Sequence, residues 1–482
     1  MTGLDTLSHL TYDPAALRIG AAHIGMGAFH RGHQQTYYDD LARAGHRDWG
    51  VAGINVAPPD IAAVHAAQNG VYSVLAEDQD DCTLRRIGTL RRADDRPDPC
   101  DPLWDEIGFA TLTITEKGYC HVSGSTMLDT SSAIAADLAT PDAPVTAVGF
   151  LAAMLDRRRR NGGAPITLAS CDNVASNGAL LRGVLTDFVA RTRPGLVGWI
   201  EDNVAFPDSM VDRIVPRMSG ASADRLARAA GKPDALGVVG EPYRQWVLAD
   251  RFAQAPRPPL EEVGVQVVPD VEIFEYMKHR MLNGLQSAFA ELGRLAGHGA
   301  SHEAATDPAL VAWARRFLAA QAETLTCPPG ENLADYAATT LHRLANPTIV
   351  HPLAQIASDA SFKLPQRIFA PAADRLVAGR DVALHASIVA GWIAQAGDAT
   401  PDRYGVTVSD PGAARVAIAR DAAGSARAVA DAVIRAPLFP EALAASAVFK
   451  VQVADWLELI RAGDPDRLRA RLRDDTRSDA HA

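Results

Sequence analysis

Lysine is scarce in this sequence of 482 residues. Of its 47 basic residues only five are lysine, and the other 42 are arginine. Acidic residues number 58, so the formal net charge is −11 and positive charge is not in excess. Binding to nucleic acid or to an anionic membrane depends on clustered positive charge. The composition therefore argues against both kinds of partner.

Cysteine is scarce as well. The sequence has five cysteines, an odd number, and no C-x-x-C motif; they are Cys82, Cys100, Cys120, Cys171 and Cys327. Neither a disulfide framework nor a thiolate zinc site is expected from this pattern. We therefore predict no metal and a reducing, cytoplasmic setting.

Long apolar segments are also missing. The N-terminus lacks a basic region followed by an apolar core, so no targeting signal is expected. The most apolar stretch, residues 382–396, contains His385 and Gln395 and is shorter than the roughly 20 residues that span a membrane. We predict a buried helix there and no membrane partner.

Short β-branched runs alternate with helix-length stretches in the first half of the chain. The predicted strands are residues 17–24, 50–56, 111–115, 166–170 and 265–268. Such alternation predicts an α/β fold with a mostly parallel sheet covered on both faces. After about residue 270, Ala, Leu and Arg dominate. We therefore expect two domains, an α/β domain over residues 1–269 and a nearly all-α domain over residues 270–482, with a frayed tail after about residue 463.

A glycine-rich turn follows the first predicted strand. In Gly25-Met26-Gly27-Ala28-Phe29-His30, the first glycine permits a tight turn and the second lets a pyrophosphate approach the helix start. His30 replaces the third glycine of the usual G-x-G-x-x-G pattern. The segment is thus compatible with a dinucleotide site and equally with an ordinary turn from strand to helix.

The end of the second predicted strand bears on the choice of dinucleotide. An Asp or Glu usually contacts the ribose hydroxyls of NAD at this place, but the sequence has Asn55, and the nearest carboxylate is Asp60. No arginine stands at the end of this strand to receive the 2′-phosphate of NADP. We therefore expect NAD, although the sequence does not exclude NADP.

Lys278 is the lysine that draws attention. Lysine, unlike arginine, can lose its proton when desolvated, as a general base must. On a helix with about 100° per residue, Glu275, Lys278, Asn283 and Gln286 fall within an arc of roughly 140°. This polar stripe lies on an otherwise apolar helix, where polar groups need partners or a task. It predicts either a reactive site or a hydrogen-bonded network in the core.

The segment around Lys278 resembles the K-x-x-x-L-N-G signature of the polyol-specific long-chain dehydrogenases, the mannitol 2-dehydrogenase family, which includes the fructuronate and tagaturonate reductases. Five further segments resemble motifs of that family in the same order along the chain. They are HIGMGAFHRGH, TITEKGY, SCDN, FPDSMVDRI and EPYRQW, at residues 23–33, 113–119, 170–173, 206–214 and 241–246. The resemblance extends from about residue 17 to about residue 370.

The resemblance implies an N-terminal Rossmann-type domain, a helical C-terminal domain and a substrate held between them. It implies NAD-dependent transfer of hydride at the secondary alcohol of a polyol. The expected cofactor-binding residues are Gly25, Gly27, Phe29, His30, Arg31, Asn55, Asp60, Thr115, Glu116 and Lys117. The expected partner is a small polyol or ketose. A monomer is expected, with an oligomer as the alternative.

The resemblance also implies roles for individual side chains. Lys278 corresponds to the catalytic lysine that takes the proton of the reacting hydroxyl. Asn173 and Asn283 correspond to asparagines that stabilise the developing alkoxide. Glu275 corresponds to a proton relay to solvent. Substrate hydroxyls are expected to contact Asp212 and Lys363, and also the positions of Gln286 and Gln355.

Gln286 and Gln355 depart from the family pattern, which has His and Arg at these two positions. Glutamine forms hydrogen bonds but carries no charge at any pH. A substrate carboxylate would therefore lack its usual countercharge at position 355. A neutral polyol and its 2-ketose are expected as substrates, with a hexuronate as the alternative.

Other classes of protein fit the sequence less well. A zinc-dependent alcohol dehydrogenase needs a cluster of metal ligands, and a short-chain dehydrogenase needs Tyr and Lys four residues apart, which none of the nine tyrosines provides. A non-catalytic NAD-binding sensor stays open. As single residues, His23, His30, His33, Cys171 and Met277 are more typical of packing or of loop order than of ligands.

Overall fold

The computed structural model describes residues 6–474. It divides into two compact units, and the division falls between Glu272 and Ile273. The first unit contains every strand of the described chain, and the second is helical. The predicted α/β class, with a nearly all-α second part, is confirmed.

The first unit is built on a six-stranded parallel sheet in the order β5-β2-β1-β6-β7-β8. Its strands are β1 (Ile19–Ile24), β2 (Gly50–Asn55), β5 (Leu90–Asp95), β6 (Phe109–Leu112), β7 (Ile166–Ser170) and β8 (Val204–Ala205). Two smaller sheets, β10-β3-β4 and β12-β11-β9, flank it. Their strands are β3 (Tyr72–Glu77), β4 (Cys82–Ile87), β9 (Ser209–Asp212), β10 (Val238–Gly240), β11 (Gln245–Ala249) and β12 (Gln266–Val268).

The helices of the first unit connect these strands. They are α1 (Ala28–Gly32), α2 (Gln34–Arg43), α3 (Ala62–Ala67), α4 (Leu103–Glu106), α5 (Thr115–Gly118), α6 (Ile134–Ala139), α7 (Ala147–Arg160), α8 (Asn177–Thr192), α9 (Val197–Asn203) and α10 (Gly220–Ala230). Short 3₁₀ helices lie at Thr6–Ser8, Pro14–Ala16, Pro194–Leu196 and Leu260–Val263.

The central strands are buried on both faces, as expected for a parallel sheet. Every residue of β2 and β7 is buried. Apolar side chains of α7 and α8 pack into one hydrophobic cluster with Ile24, Leu112 and Leu168. Tyr38 and Trp246 belong to a second cluster. Removing apolar surface from water stabilises a fold by about 25 cal/mol per Å², and this burial is the main stabilising contribution of these clusters.

The second unit consists of helices. They are α11 (Glu272–Met277), α12 (Gly284–Ala288), α13 (Ser301–Ala304), α14 (Pro308–Ala322), α15 (Leu333–Leu344), α16 (Leu353–Ala357), α17 (Ala360–Leu364), α18 (Ala370–Val377), α19 (Ala383–Gln395), α20 (Ala413–Ala422), α21 (Ala426–Val433), α22 (Glu441–Ala445), α23 (Ala447–Arg461) and α24 (Pro465–Arg473). The apolar stretch predicted to be a buried helix is α19, which packs mainly on α23.

Three π-helical segments interrupt these helices, at Lys278–Asn283, Phe289–Gly293 and Pro365–Phe369. We call them wide turns, because their hydrogen bonds run from i to i+5. The prediction of a regular helix with about 100° per residue around Lys278 is therefore wrong. Sequence periodicity cannot reveal a wide turn, which depends on contacts with neighbouring helices.

The end of the chain also differs from expectation. A frayed tail was expected after about residue 463, but α24 is capped by Asp464, whose carboxylate accepts hydrogen bonds from the amides of Asp466 and Arg467. Leu472 of this helix is fully buried. The expectation is therefore wrong for the residues of α24, while the last eight residues lie outside the described part.

Candidate functional site

The carboxyl edge of the parallel sheet gathers most of the predicted cofactor residues. The glycine turn follows β1, Asn55 ends β2, Thr115 begins α5 after β6, and Asn173 follows β7. Because parallel strands end at the same edge, these segments lie side by side. This is the edge at which open α/β sheets bind their ligands.

The turn itself consists of Gly25, Met26 and Gly27. Gly25 has a φ of +97°, and a Cβ there would lie 2.1 Å from the carbonyl oxygen of Thr113, so only glycine fits. A Cβ added to Gly27 would meet nothing within 4 Å. The space beside Gly27, the N-cap of α1, is therefore open. An open cradle at the start of a helix fits the pyrophosphate of a dinucleotide.

Two stacked imidazoles lie behind this turn. The rings of His23 and His30 are fully buried, and their centroids are 3.4 Å apart. Nε2 of His23 lies 3.0 Å from the carbonyl oxygen of Gly25. Burial lowers the pKa of His23 to about 3 and that of His30 well below its ordinary value, so both rings are neutral at pH 7. His30 has no exposed surface and packs under the turn, and its contact with the cofactor stays a prediction.

Asn55 and Arg31 hold the main chain of the turn. Oδ1 of Asn55 accepts a hydrogen bond from the amide of Met26 at 2.8 Å, and Nδ2 donates to the carbonyl of Pro59 at 2.7 Å. The Arg31 guanidinium donates to the carbonyls of Met26 and Leu236. Both side chains were predicted to contact the cofactor. In the structure their hydrogen bonds fix the shape of the glycine turn, and contact with the cofactor stays a prediction.

Asp60 lies on the surface beside Arg96. Nη1 of Arg96 is 3.0 Å from Oδ2 of Asp60, and both side chains are more than half exposed. Arg96 directly follows β5, whose last residue, Asp95, lies opposite Asn55 at the end of β2. The expectation that no arginine stands near the end of the second strand is therefore wrong. Sequence reasoning missed Arg96 because β5 was not predicted.

Asp172 connects two of the motif segments, SCDN and TITEKGY, by hydrogen bonds. Its buried carboxylate accepts hydrogen bonds from the amides of Ile114 and Thr115, at 2.9 and 2.8 Å, and from the hydroxyl of Tyr119 at 2.7 Å. The TITEKGY segment is thus tied to the SCDN segment. Asp172 was not singled out from the sequence, although it directly precedes the predicted Asn173.

The surface beside this junction is formed by exposed residues. Thr115, Glu116 and Lys117, all predicted to bind the cofactor, are exposed in α5, and Phe29 is partly exposed in α1. Asn173, the predicted alkoxide-stabilising residue of this unit, is exposed after β7. The side chains at this edge are therefore accessible to a ligand.

Asp212 stands apart from that edge, at the end of β9 in a smaller sheet. It is buried and lies opposite Gln245 of the EPYRQW segment. The link to the main sheet runs through Asn177, whose Nδ2 donates to the carbonyls of Asp172 and Ser209 at 2.9 and 2.8 Å. Asn177 therefore connects the SCDN and FPDSMVDRI segments, which places Asp212 in a fixed relation to Asn173.

Lys278 opens the first wide turn of the helical unit. Glu275 precedes it in α11, and both residues are buried, with 6 % exposure each. Asn283, the last residue of the same wide turn, is 7 % exposed. The predicted base, the predicted relay and one predicted amide donor thus lie on a single buried stretch of helix.

The amide of Asn283 is oriented by Gln286. Nδ2 of Asn283 donates to Oε1 of Gln286 at 3.1 Å, and both side chains are buried. Oδ1 of Asn283 has no hydrogen-bond partner within residues 6–474. One N–H of the Asn283 amide is therefore used by Gln286, and the other stays available to a ligand.

Lys363 lies in α17 of the same unit. Its ammonium donates to the carbonyl of Ser358 at 2.5 Å and more weakly to that of Ile356 at 3.3 Å. Burial and the neighbouring Arg367 lower the pKa of Lys363. Gln355, the second predicted substrate contact, is exposed in α16, and its side chain forms no hydrogen bond within the described chain.

The family is decided by comparison with known proteins. A family profile described as the mannitol dehydrogenase Rossmann domain matches residues 19–262, and one described as the mannitol dehydrogenase C-terminal domain matches residues 270–460. The chain belongs to the mannitol dehydrogenase family. It is therefore a dehydrogenase that acts on a CH–OH group, as the sequence predicted.

Relatives within this family carry two kinds of name. D-mannonate oxidoreductase of Escherichia coli is 36% identical over 413 residues, which cover 83% of this chain and 85% of that protein. Mannitol 2-dehydrogenase of Phaeosphaeria nodorum is 34% identical and covers 81% and 71% of the two chains. The crystal structure of Pseudomonas fluorescens mannitol 2-dehydrogenase with NAD and D-mannitol is 33% identical, with a TM-score of 0.81 over 96% of each chain.

Within residues 6–474, no helix is long and apolar enough to cross a membrane. No three His, Cys, Asp or Glu side chains of that part are grouped so that they could hold a metal ion.

Proposed function

We propose that the protein is an NAD-dependent dehydrogenase that oxidises a secondary alcohol of an open-chain polyhydroxylated substrate to a ketone, and catalyses the reverse reduction. The observation that carries this proposal is the buried stretch of helix that holds Glu275, Lys278 and Asn283, in a chain with only five lysines. The open cradle at Gly27 supports a dinucleotide as the second reactant.

Lys278 acts as the general base in this proposal. Its amino group takes the proton from the reacting hydroxyl while the carbon–hydrogen bond of the same carbon breaks. NAD, when bound, supplies the nicotinamide that accepts the hydride. Glu275, one turn earlier, then passes the proton from Lys278 toward solvent.

The two asparagines stabilise the oxygen that becomes negatively charged. The second N–H of Asn283 is directed at this oxygen, since the first is held by Gln286. The family resemblance assigns the same role to Asn173, which directly follows the buried Asp172. Donors that are oriented before the reaction need no reorganisation during it, which is why such pairs lower the barrier most.

The substrate has two candidates. A neutral polyol is favoured by Gln355, which cannot provide the charge that the family's arginine gives. A sugar acid is favoured by the similarity to D-mannonate oxidoreductase. The reaction at the secondary alcohol is the same for both.

An activity panel with the full chain tests the proposal. Formation of NADH is followed from pH 6 to 10 with mannitol, sorbitol, arabinitol and mannonate, and its consumption with fructose, xylulose and fructuronate. We expect turnover with at least one of these pairs. A protein that binds NADH but turns over none of them would instead be a non-catalytic sensor, and the proposal would be wrong.

A further inference from the structure

Arg367 is a cation of the helical unit that the sequence did not single out. It lies in the third wide turn, four residues after Lys363. Its Nη1 is 3.1 Å from Oγ of Ser287 and 3.5 Å from the carbonyl oxygen of Asn283. Arg367 therefore contacts the turn of helix that carries the predicted alkoxide donor Asn283.

This guanidinium has no carboxylate partner in the described chain. Its hydrogen bonds go to a hydroxyl and a carbonyl, and no Asp or Glu of residues 6–474 forms an ion pair with it. Other arginines of this unit are paired: Arg280 lies 2.7 Å from Asp374, and Arg375 lies 2.6 Å from Glu323. A largely buried cation without a counterion lowers the stability of the fold, so its presence here indicates a functional role such as binding an anion.

Lys363 adds a second positive charge near Arg367. The two cations are close enough to repel, which contributes to the lowered pKa of Lys363. Burial alone lowers the pKa of Arg367, to about 10, and no acidic group opposes the shift. Glu291 neutralises little of the positive charge of Lys363. Burial raises the pKa of the Glu291 carboxyl to about 8, so this group is mostly uncharged at pH 7. Asp359 and Asp410 also act on Lys363 but not on Arg367.

Arg367 also remains reachable. Some of its surface is exposed, and within residues 6–474 Nη1 is the only one of its donors that forms a hydrogen bond. A guanidinium offers its donors in a planar fork that matches the two oxygens of a carboxylate. Nε and Nη2 are thus left for an anion that binds beside Asn283.

We propose that Arg367, supported by Lys363, binds a carboxylate of the substrate, and that the preferred substrate is an open-chain sugar acid rather than a neutral polyol. This inference rests on the proposed function and names the substrate class of the same site. The uncharged Gln355 then no longer favours a neutral polyol. The positive charge that is absent at position 355 is supplied by Arg367 on another helix.

D-mannonate and D-mannitol form a matched pair for the test, since they differ only in a carboxylate against a hydroxymethyl group. With NAD, we expect the wild-type protein to have the higher kcat/KM for mannonate. In Arg367→Gln, the ratio of the two kcat/KM values should fall by about 30-fold or more, the usual scale for removing one partner of an enclosed charge pair. Arg367→Lys should recover part of the loss. Arg380→Gln, an exposed arginine of the same unit, should keep the wild-type ratio.

A second measurement does not depend on the variant's folding. Binding of mannonate and of its neutral amide to the wild-type protein with NADH is compared by calorimetry, and the acid should bind at least about 30-fold more tightly. Equal binding of acid and amide, a wild-type preference for mannitol, or an equal loss of both activities in Arg367→Gln would overturn the inference and leave the proposed function intact. If no substrate of the activity panel turns over, the proposed function is wrong, and the binding experiment alone decides whether Arg367 receives a carboxylate.

Discussion

Oε1 of Gln286 accepts a hydrogen bond from Nδ2 of Asn283 at 3.1 Å. An unconstrained asparagine amide can present either its oxygen or its nitrogen to a ligand, and only the nitrogen can stabilise an alkoxide. The hydrogen bond to Oε1 of Gln286 fixes the orientation of the Asn283 amide, because it holds the amide nitrogen on the side of Gln286. Gln286 is thus a positioning residue for Asn283, in the place where the family has a histidine.

Substitution of Gln286 tests this relationship. Gln286→Leu removes the acceptor and frees the amide to rotate, so we expect kcat to fall about 3- to 10-fold, the usual scale of one hydrogen bond. The KM for NAD should stay the same. Gln286→His, which restores an acceptor, should recover most of the loss. Full activity of the Leu variant would contradict the positioning role.

Lys278→Ala tests the general base. We expect turnover at neutral pH to fall by about 10²- to 10⁴-fold, the usual scale for removal of a general base. Affinity for NADH, measured by fluorescence titration, should change little. Lys232→Ala, at an exposed position of the first unit, is the matched control and should keep wild-type turnover. Normal turnover in Lys278→Ala would remove this lysine from the mechanism.

Asp60→Ala tests the choice between NAD and NADP. The substitution removes a negative charge and releases Arg96, whose guanidinium lies 3.0 Å from that carboxylate. Arg96 could then pair with a 2′-phosphate, so kcat/KM with NADP should rise relative to NAD by about 10-fold, the order of one charge-assisted contact. Asp60→Ala combined with Arg96→Ala should lose this gain. An unchanged cofactor ratio in the single variant would show that this pair does not face the ribose.

Glu291→Gln tests a dependence of stability on pH. Burial raises the pKa of Glu291 to about 8, whereas in the unfolded chain it lies near the ordinary value of 4.5. Between these two values the unfolded chain releases a proton that the folded protein retains. The free energy of unfolding therefore falls as pH rises through this window, by about 1.4 kcal/mol per pH unit at most.

The glutamine keeps the shape of the side chain and removes this titration. Calorimetric Tm values of variant and wild type should thus agree near pH 5 and differ most at pH 8, where the variant is the more stable. The exposed Glu441→Gln should shift Tm equally at both pH values. A difference between Glu291→Gln and wild type that does not grow with pH would disprove the titration.

Burial alone does not decide which strands the sequence predicts, since β9, β10 and β11 are wholly buried and were missed, whereas the partly exposed β12 was found. Residues 166–170 coincide with β7, and residues 50–56 exceed β2 by one residue, because a continuous apolar run is enough to define each. β4 and β5 were missed, since they carry charged residues such as Arg85 and Arg92 on partly exposed faces. Arg96, placed by β5, was missed with them.

The sequence singles out candidate site residues where a residue type alone carries the signal. The rarity of lysine and the motif around it single out Lys278 without knowledge of the fold. Asp172 and Arg367 act through partners far away in sequence, Ile114 in one case and Asn283 in the other. Nothing in a single sequence reveals such pairs.

The first and third wide turns are hydrogen-bonded to a neighbouring helix. Nε2 of the fully buried Gln321 donates to the carbonyl of Arg280 at 2.8 Å and to that of Arg367 at 3.0 Å. A peptide cut from this region, or the motif grafted onto another scaffold, would lack Gln321 and relax to a regular helix of 3.6 residues per turn. Lys278 and Asn283 would then point about 140° apart. The arrangement of Lys278 and Asn283 therefore depends on the surrounding helices, and the signature cannot be transplanted without them.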